Sequence, residues 1–286
     1  MNIWIQAARP KTLIASISPV LIASIVARTH GEFSFLTFLF TLLTAIGIQV
    51  VTNFANDYFD FLKGSDTKKR VGPTRVTAAG LVTPSQMKKA LNISVIITFL
   101  LGIPLIYQGG LVIAALLILS LFLAVAYTKG RFAIAYRGLG ELFVFVFFGP
   151  VATSAAYYLQ THELSLEAAL IGISPGALSA CILLINNIRD EKEDKAAHKN
   201  TLVVRFGKTF GKGLYVALMF IATLLPLLFY KEHPYVAITS ITAALGLIIC
   251  LKLFKIKAAK DYIPLLGETA QILLLYTLIF CATWNP

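Results

Sequence analysis

Two short stretches hold most of the chemistry available to this chain. Residues 56–66 read NDYFDFLKGSD and residues 186–202 read NNIRDEKEDKAAHKNTL, each following a long apolar run. Seven of the fourteen carboxylates fall there: Asp57, Asp60, Asp66, Asp190, Glu191, Glu193 and Asp194. If the helix entering the first stretch continues, Asn53, Asp57 and Asp60 share one face at i, i+4 and i+7. Asn186, Asp190 and Asp194 do the same in the second stretch, at i, i+4 and i+8. Gly64 ends the first helix, which leaves Asp66 to a loop. Carboxylates and Asn amides are oxygen-only ligands that suit a hard cation such as Mg²⁺, and no His or Cys stands at a zinc-type spacing. Mg²⁺ keeps some waters and shares its other positions with substrate phosphates. The same loops supply bases for such phosphates: Lys68, Lys69, Arg70 and Arg75, then Lys129 and Arg131 in a middle loop, then Arg189 and Lys199. Acid for a metal beside base for a phosphate, at the end of an apolar segment, describes a site for a diphosphate with a lipid tail. The plain alternative is solvated loop charge. Loops need Lys and Arg for topology, however, and do not need Asp aligned at the hydrocarbon boundary, where ionisable groups are costly and usually functional.

The elements that must position these residues are membrane spans. Of 286 residues 57% are hydrophobic and only 14% charged, far from the balance of a soluble domain. Mostly apolar runs near 12–28, 35–55, 90–107, 110–127, 139–158, 166–186, 212–230, 234–251 and 264–283 predict an all-α polytopic membrane protein of nine spans, forming one integral domain over 1–286. Nine spans place the N-terminus and the segments 56–89, 128–138, 187–211 and 252–263 on one side. Those segments, with Lys212 at the border of the fourth, carry 23 of the 25 Lys and Arg, leaving Arg28 and Lys231 opposite. The positive-inside rule then puts the N-terminus and the acidic stretches in the cytoplasm and the C-terminus outside, in a cell inner membrane. The net charge of +11 is therefore topological and calls for no nucleic acid. Cys181, Cys250 and Cys281 lie in apolar runs and read as buried hydrophobes, neither disulfide nor metal ligands.

NDYFD with a following aspartate, and NNIRDEKED followed by KNTL, resemble the two aspartate-rich motifs of the UbiA superfamily of intramembrane prenyltransferases. The resemblance extends over most of the chain. AARPKTL at the N-terminus, GPTRVTAAGLVTP at 72–84 and GLGELFVFVFFGPV at 138–151 are most similar to the branch that prenylates 1,4-dihydroxy-2-naphthoate. Two departures stand out: the last acid of the first motif is Asp66, two residues beyond the usual position at Gly64, and His198 precedes Lys199 where glycine is usual. The resemblance implies a ring of helices around a cavity open to the cytoplasm, with Asp57, Asp60 and Asp66 holding one Mg²⁺ and Asp190 and Asp194 another. It also implies a polyprenyl diphosphate whose allylic C–O bond ionises before an electron-rich aromatic ring attacks. On this reading Asp57, Asp60, Asp190, Asp194 and Lys129 are catalytic, and Asn53, Asn56, Arg70, Arg75, Tyr127, Arg131, Asn186, Arg189 and Lys199 bind substrate.

Tyr127, just before the middle loop, can present its ring face to a cation. Glu141 is placed to orient a Lys or Arg, while Glu268 and Gln271 in the last span read as helix-pairing groups. Prolines 19, 104, 150, 175 and 226 fall within spans and are expected to kink them. Arg9, Lys11 and Arg137 are spare bases for an acceptor carboxylate. Other acceptors, such as 4-hydroxybenzoate, stay open beside 1,4-dihydroxy-2-naphthoate. So does a cation-coupled transporter, which predicts carboxylates near the midplane rather than at one side.

Overall fold

The computed structural model describes residues 2–65, 71–130 and 133–284, and every regular element among them is helical. In chain order these are α1 (Ile3–Ala8), α2 (Pro10–Thr29), α3 (Phe35–Leu62), α4 (Pro84–Ala126), α5 (Gly140–Val146), a π-helical turn (Phe147–Val151), α6 (Ala152–Thr161), α7 (Leu166–Ile171), α8 (Ile173–Arg189), α9 (Glu191–Ala196), α10 (Leu202–Leu224), α11 (Ile241–Lys255) and α12 (Tyr262–Thr283), with 3-10 turns at Ile134–Tyr136, Leu225–Phe229, Pro234–Ser240 and Ala259–Asp261. Eight stretches among the described residues are long and apolar enough to cross a membrane.

The longest of these, α4, has 43 residues. Straight, it would reach about 65 Å, twice the thickness of a bilayer core. It is not straight. Gly110 leaves helical geometry at φ 64°, ψ −153°, a left-handed conformation that glycine adopts without steric cost. The two arms then fold together: the backbone at Gly102 packs so closely on Leu117 that a Cβ there would collide with it. The nine expected spans are reached only by counting these arms separately. Thr83 starts α4 with a reciprocal capping box to Gln86, ahead of Pro84.

The expected proline kinks are met in part. Pro150 lies in the π-helical turn with the non-helical Gly149, and Pro226 sits where α10 gives way to a 3-10 turn, whereas Pro19 and Pro104 sit inside continuous helix and two further breaks fall at Gly110 and at Gly207 in α10. Helix α3 runs on to Leu62, just short of Gly64, and carries Asp57 and Asp60 on regular helix, as a continuing helix requires. One expected boundary moves. The expected loop 187–211 holds α9 and the start of α10, because the Thr201 side chain accepts from the Val204 amide and begins a helix there.

One apolar core joins α2, α8, α10 and α12, and a second joins α1, α3, α4 and the segment containing Val76 and Val82. Between them lies a cavity of about 270 Å³, lined among the described residues by α2, α3, both arms of α4, the α5–α6 segment and α8. The cysteines are free, Cys181 and Cys250 buried and Cys281 half-buried.

Candidate active site

The polar end of the cavity is set by three asparagines. Asn53, Asn56 and Asn186 line it, and each lies one helical turn before an aspartate: Asp57, Asp60 and Asp190. The acidic groups therefore ring the mouth while the amides face inward. The four aspartates of the clusters that the structure describes are all buried: Asp57 at 1% exposure, Asp60 at 6%, Asp190 and Asp194 at 7%.

The shared face of α3 fans out to three different elements. Asn53 donates from Nδ2 to the Ala8 carbonyl (2.8 Å) and to the Thr12 hydroxyl (3.3 Å), tying α3 to the α1–α2 junction. Asp57 gives both oxygens to backbone amides, accepting from Val76 and Thr77 at 3.0 Å each. Asp60 accepts from the Tyr136 hydroxyl at 2.9 Å. The expectation that Asp57 and Asp60 point jointly at one ion is not what this geometry shows. Asn56 accepts a short hydrogen bond from the Thr128 hydroxyl, which fixes the start of the middle loop.

The second cluster pairs acid with cation. Arg189 grips its neighbour Asp190 through Nε (2.5 Å) and Nη2 (2.7 Å), while its Nη1 is buried without a hydrogen-bond partner. Lys199 lies 3.3 Å from Asp194 Oδ1, while Asp194 Oδ2 is buried with no hydrogen-bond partner. Burial raises the Asp194 carboxyl to about 6; the charges of Asp190 and Asp60 push the same way, against Lys199. Burial pulls Lys199 down, but Asp194, Asp60 and Asp190 outweigh it and hold the ammonium above its ordinary value. Asp60 thus acts on both members of the second cluster, so the two stretches meet.

Tyr136 makes that meeting, and nothing in its surroundings in the sequence marked it. Its hydroxyl reaches Asp60 and the Ser65 hydroxyl (2.6 Å), its carbonyl accepts from the Asn200 amide (3.2 Å), and its ring lies under Lys63 (3.8 Å) and Lys199 (5.9 Å). Lys63, also unforeseen, donates to the Thr128 carbonyl at 2.6 Å. Its pKa is lowered by burial and by Lys199, against the pull of Asp60. Its place three residues after Asp60, on the same helical face, is a signal that periodicity could have supplied.

The remaining expectations divide. Tyr127 and Asn186 line the cavity; Asn186 donates to the Ile182 carbonyl (3.3 Å) within its own helix. Tyr127 continues through Phe143 (6.1 Å) to a stacked Phe147 (4.2 Å), and its hydroxyl packs on Gly140, where a Cβ would come within 2.8 Å. Burial, then Glu141, Asp60 and Asp194, keep that hydroxyl protonated. Lys129 is exposed, its ammonium 5.8 Å from the ring centre of Phe59, the neighbour of Asp60. Arg75 is half-buried on the segment that Asp57 holds. Glu141, expected to orient a Lys or Arg, accepts instead from Asn187 Nδ2 at 2.8 Å and leaves Oε2 buried without a partner. Glu268 pairs with Lys252 at 3.0 Å, as a helix-pairing group should. His198 is exposed with φ 55°, the left-handed geometry that explains why glycine serves there in similar motifs. Of the three spare bases Arg9 alone lines the cavity; Lys11 and Arg137 are exposed. Asp66, Lys68, Lys69, Arg70 and Arg131 lie outside the described residues.

Among the described residues no three His, Cys, Asp or Glu side chains converge into a metal-holding group. The donor set nevertheless fits Mg²⁺ shared with a ligand: it is all oxygen, and one buried carboxylate oxygen, Asp194 Oδ2, has no partner.

Comparison with known proteins agrees with the motifs and the fold. A 1,4-dihydroxy-2-naphthoate octaprenyltransferase of Haemophilus influenzae is 38% identical over 238 residues, covering 80% of this chain and 77% of that one. A UbiA homolog from Aeropyrum pernix K1 superposes with a TM-score of 0.69 at 15% identity, over 94% of this chain and 96% of that one. A UbiA homolog from Archaeoglobus fulgidus, bound to GPP and Mg²⁺, gives 0.61 at 13% identity over 98% and 100%. The model of the UbiA prenyltransferase family matches residues 16–284, nearly the whole helical body, and the chain belongs to that family.

Proposed function

We propose that this protein transfers a polyprenyl group from its diphosphate to 1,4-dihydroxy-2-naphthoate, with release of diphosphate and CO₂, in the synthesis of menaquinone. The observation that carries this reading is the placement of a buried acid–base cluster one helical turn above an apolar cavity. That arrangement takes a charged head at the mouth and a hydrocarbon tail inside. The similarity to proteins named for this activity supports the acceptor, and the relative bound to GPP and Mg²⁺ supports the donor and the metal.

Asp60, Asp190 and Asp194, with the Asn56 amide and Asp66, are the groups that would hold Mg²⁺, its remaining positions going to water and diphosphate oxygens. Bound there, the ion supplies neutralising charge that makes diphosphate a better leaving group. Lys199 and Lys63 face the same region and stabilise the departing oxygens; Arg75 and Lys129 extend this basic surface, and the sequence offers Arg70 and Arg131 as further phosphate-binding bases. The allylic C–O bond breaks with its electron pair leaving on diphosphate. The allylic cation then faces the Tyr127 ring and the Phe143–Phe147 stack, whose π-faces favour positive charge. The ring carbon bearing the carboxylate supplies the electrons of the new C–C bond. Loss of CO₂ returns a pair to the ring and gives the quinol form of demethylmenaquinone. Arg9 on the cavity wall is the base positioned for that carboxylate. One integral domain in the inner membrane, with N-terminus and active site cytoplasmic and C-terminus outside, accounts for the split of basic residues.

The test is purified protein in lipid, given Mg²⁺, a polyprenyl diphosphate and a panel of acceptors. Prenylated naphthoquinol with stoichiometric CO₂ is expected. Efficient prenylation of 4-hydroxybenzoate with its carboxylate retained, and none of the naphthoate, would overturn the acceptor assignment.

A further inference from the structure

Asp57 sits in the middle of the first acidic motif, yet its surroundings differ from those of Asp60. Its two oxygens accept from two consecutive backbone amides, Val76 to Oδ2 and Thr77 to Oδ1, both at 3.0 Å. A carboxylate chelating adjacent amides is charge-assisted on both sides and needs no cation to be stable when buried. The segment it grips is itself a closed turn: the Val76 carbonyl accepts from Leu81 (3.0 Å) and Val82 (3.3 Å), and Ala79 donates back to Arg75 (2.9 Å). Val76 has no exposed surface and packs in the core that contains Val51, Phe54 and Met87. The turn then leads directly into the Thr83 cap of α4. Neither Asp57 nor Asp60 lines the cavity, whereas Asn53 and Asn56 just before Asp57 do, so what sets Asp57 apart from Asp60 is its pair of backbone amides.

We infer that Asp57 is a positioning residue, the anchor that folds residues 75–82 against the mouth of the cavity, and is not a metal ligand. Through that turn it fixes where the backbone of Arg75 enters the diphosphate site, so the inference rests on the function proposed above. Asp57→Asn makes the claim testable. An amide side chain offers one oxygen, and its NH₂ faces a backbone N–H, so one of the two amides must lose its acceptor.

The experiment is hydrogen exchange on the full chain in lipid nanodiscs, with Mn²⁺ titrated as a paramagnetic stand-in for Mg²⁺. It compares wild type, Asp57→Asn and Asp60→Asn. In Asp57→Asn, exchange in the peptide carrying Val76 and Thr77 should rise by about tenfold, the loss of one charge-assisted hydrogen bond, while α8 peptides keep their protection. Mn²⁺ affinity should stay near the wild-type value. In Asp60→Asn the same peptide should exchange normally and Mn²⁺ binding should weaken by at least about tenfold. Unchanged protection at Val76 and Thr77 in Asp57→Asn, or Mn²⁺ binding weakened as much as in Asp60→Asn, overturns the inference. If Asp60→Asn leaves Mn²⁺ binding intact, the proposed metal site fails instead, and the exchange at Val76 and Thr77 still decides the anchor.

Discussion

The two acidic clusters look alike in sequence and are built on opposite principles. In the first, Asp57 and Asp60 are satisfied by neutral donors: two backbone amides and a tyrosine hydroxyl. In the second, Asp190 and Asp194 are held by cations, Arg189 and Lys199, and one carboxylate oxygen is left without a partner. Neutral donors fix a carboxylate in place without cancelling its charge. Cations cancel it in part, and here one lysine interacts with three carboxylates while one oxygen of Asp194 stays without a partner. The first cluster is thus mainly a frame and the second mainly a charge reservoir. A divalent ion between them is the natural complement of both.

The sharpest way to break this contrast is to neutralise one carboxylate on each side. Asp60→Asn and Asp194→Asn should each lower kcat/KM by more than the roughly 10–100-fold typical of lost outer-shell partners, since both are proposed ligands. Steady-state kinetics across Mg²⁺ concentrations reads this directly. A smaller effect is expected from pH. Burial raises the Asp194 carboxyl to about 6, so as pH falls through that value a proton competes for the oxygen that the metal needs. Mg²⁺ affinity should therefore drop below about pH 6. The stability of the metal-free protein should respond with the opposite sign: a carboxyl raised in the folded state contributes most when protonated, so its share grows as pH falls from 7 toward 5. Isothermal titration and thermal melts at matched pH separate the two.

Below these comes the Glu141–Asn187 pair, in which a residue of the second stretch turns away from its aspartates to hold a buried carboxylate. Asn187→Leu strands a buried carboxylate and should cost about 1–3 kcal/mol of stability, read as a lower melting temperature, with little change in Mg²⁺ dependence. Lys129→Met should do least, raising donor KM by a few-fold at most, because an exposed cation contributes roughly 0–1 kcal/mol and is screened by salt.

The fold was legible because spans announce themselves by length and polarity, and the clusters because a period of 3.6 puts Asn53, Asp57 and Asp60 on one face. What the period cannot say is what that face meets. Val76 and Thr77 contribute only backbone, which has no residue-type signature, and Tyr136 arrives from a loop 76 residues after Asp60. Asn186 was singled out but its neighbour Asn187, about a hundred degrees round the helix, holds the buried Glu141. Pro19 and Pro104 do not break their helices and the break at Gly110 was not foreseen, because a missing N–H is tolerated in a membrane helix whereas a left-handed turn at Gly110 requires glycine.

A double-mutant cycle on Asp60→Asn and Asp194→Asn tests most directly whether the two clusters form one site, with donor turnover measured as a function of Mg²⁺. If both carboxylates serve the same ion and diphosphate, the double variant should be little worse than the more damaged single variant, a strong departure from additivity. Fully additive losses in kcat/KM, with each single variant keeping the wild-type Mg²⁺ dependence, would contradict the shared site.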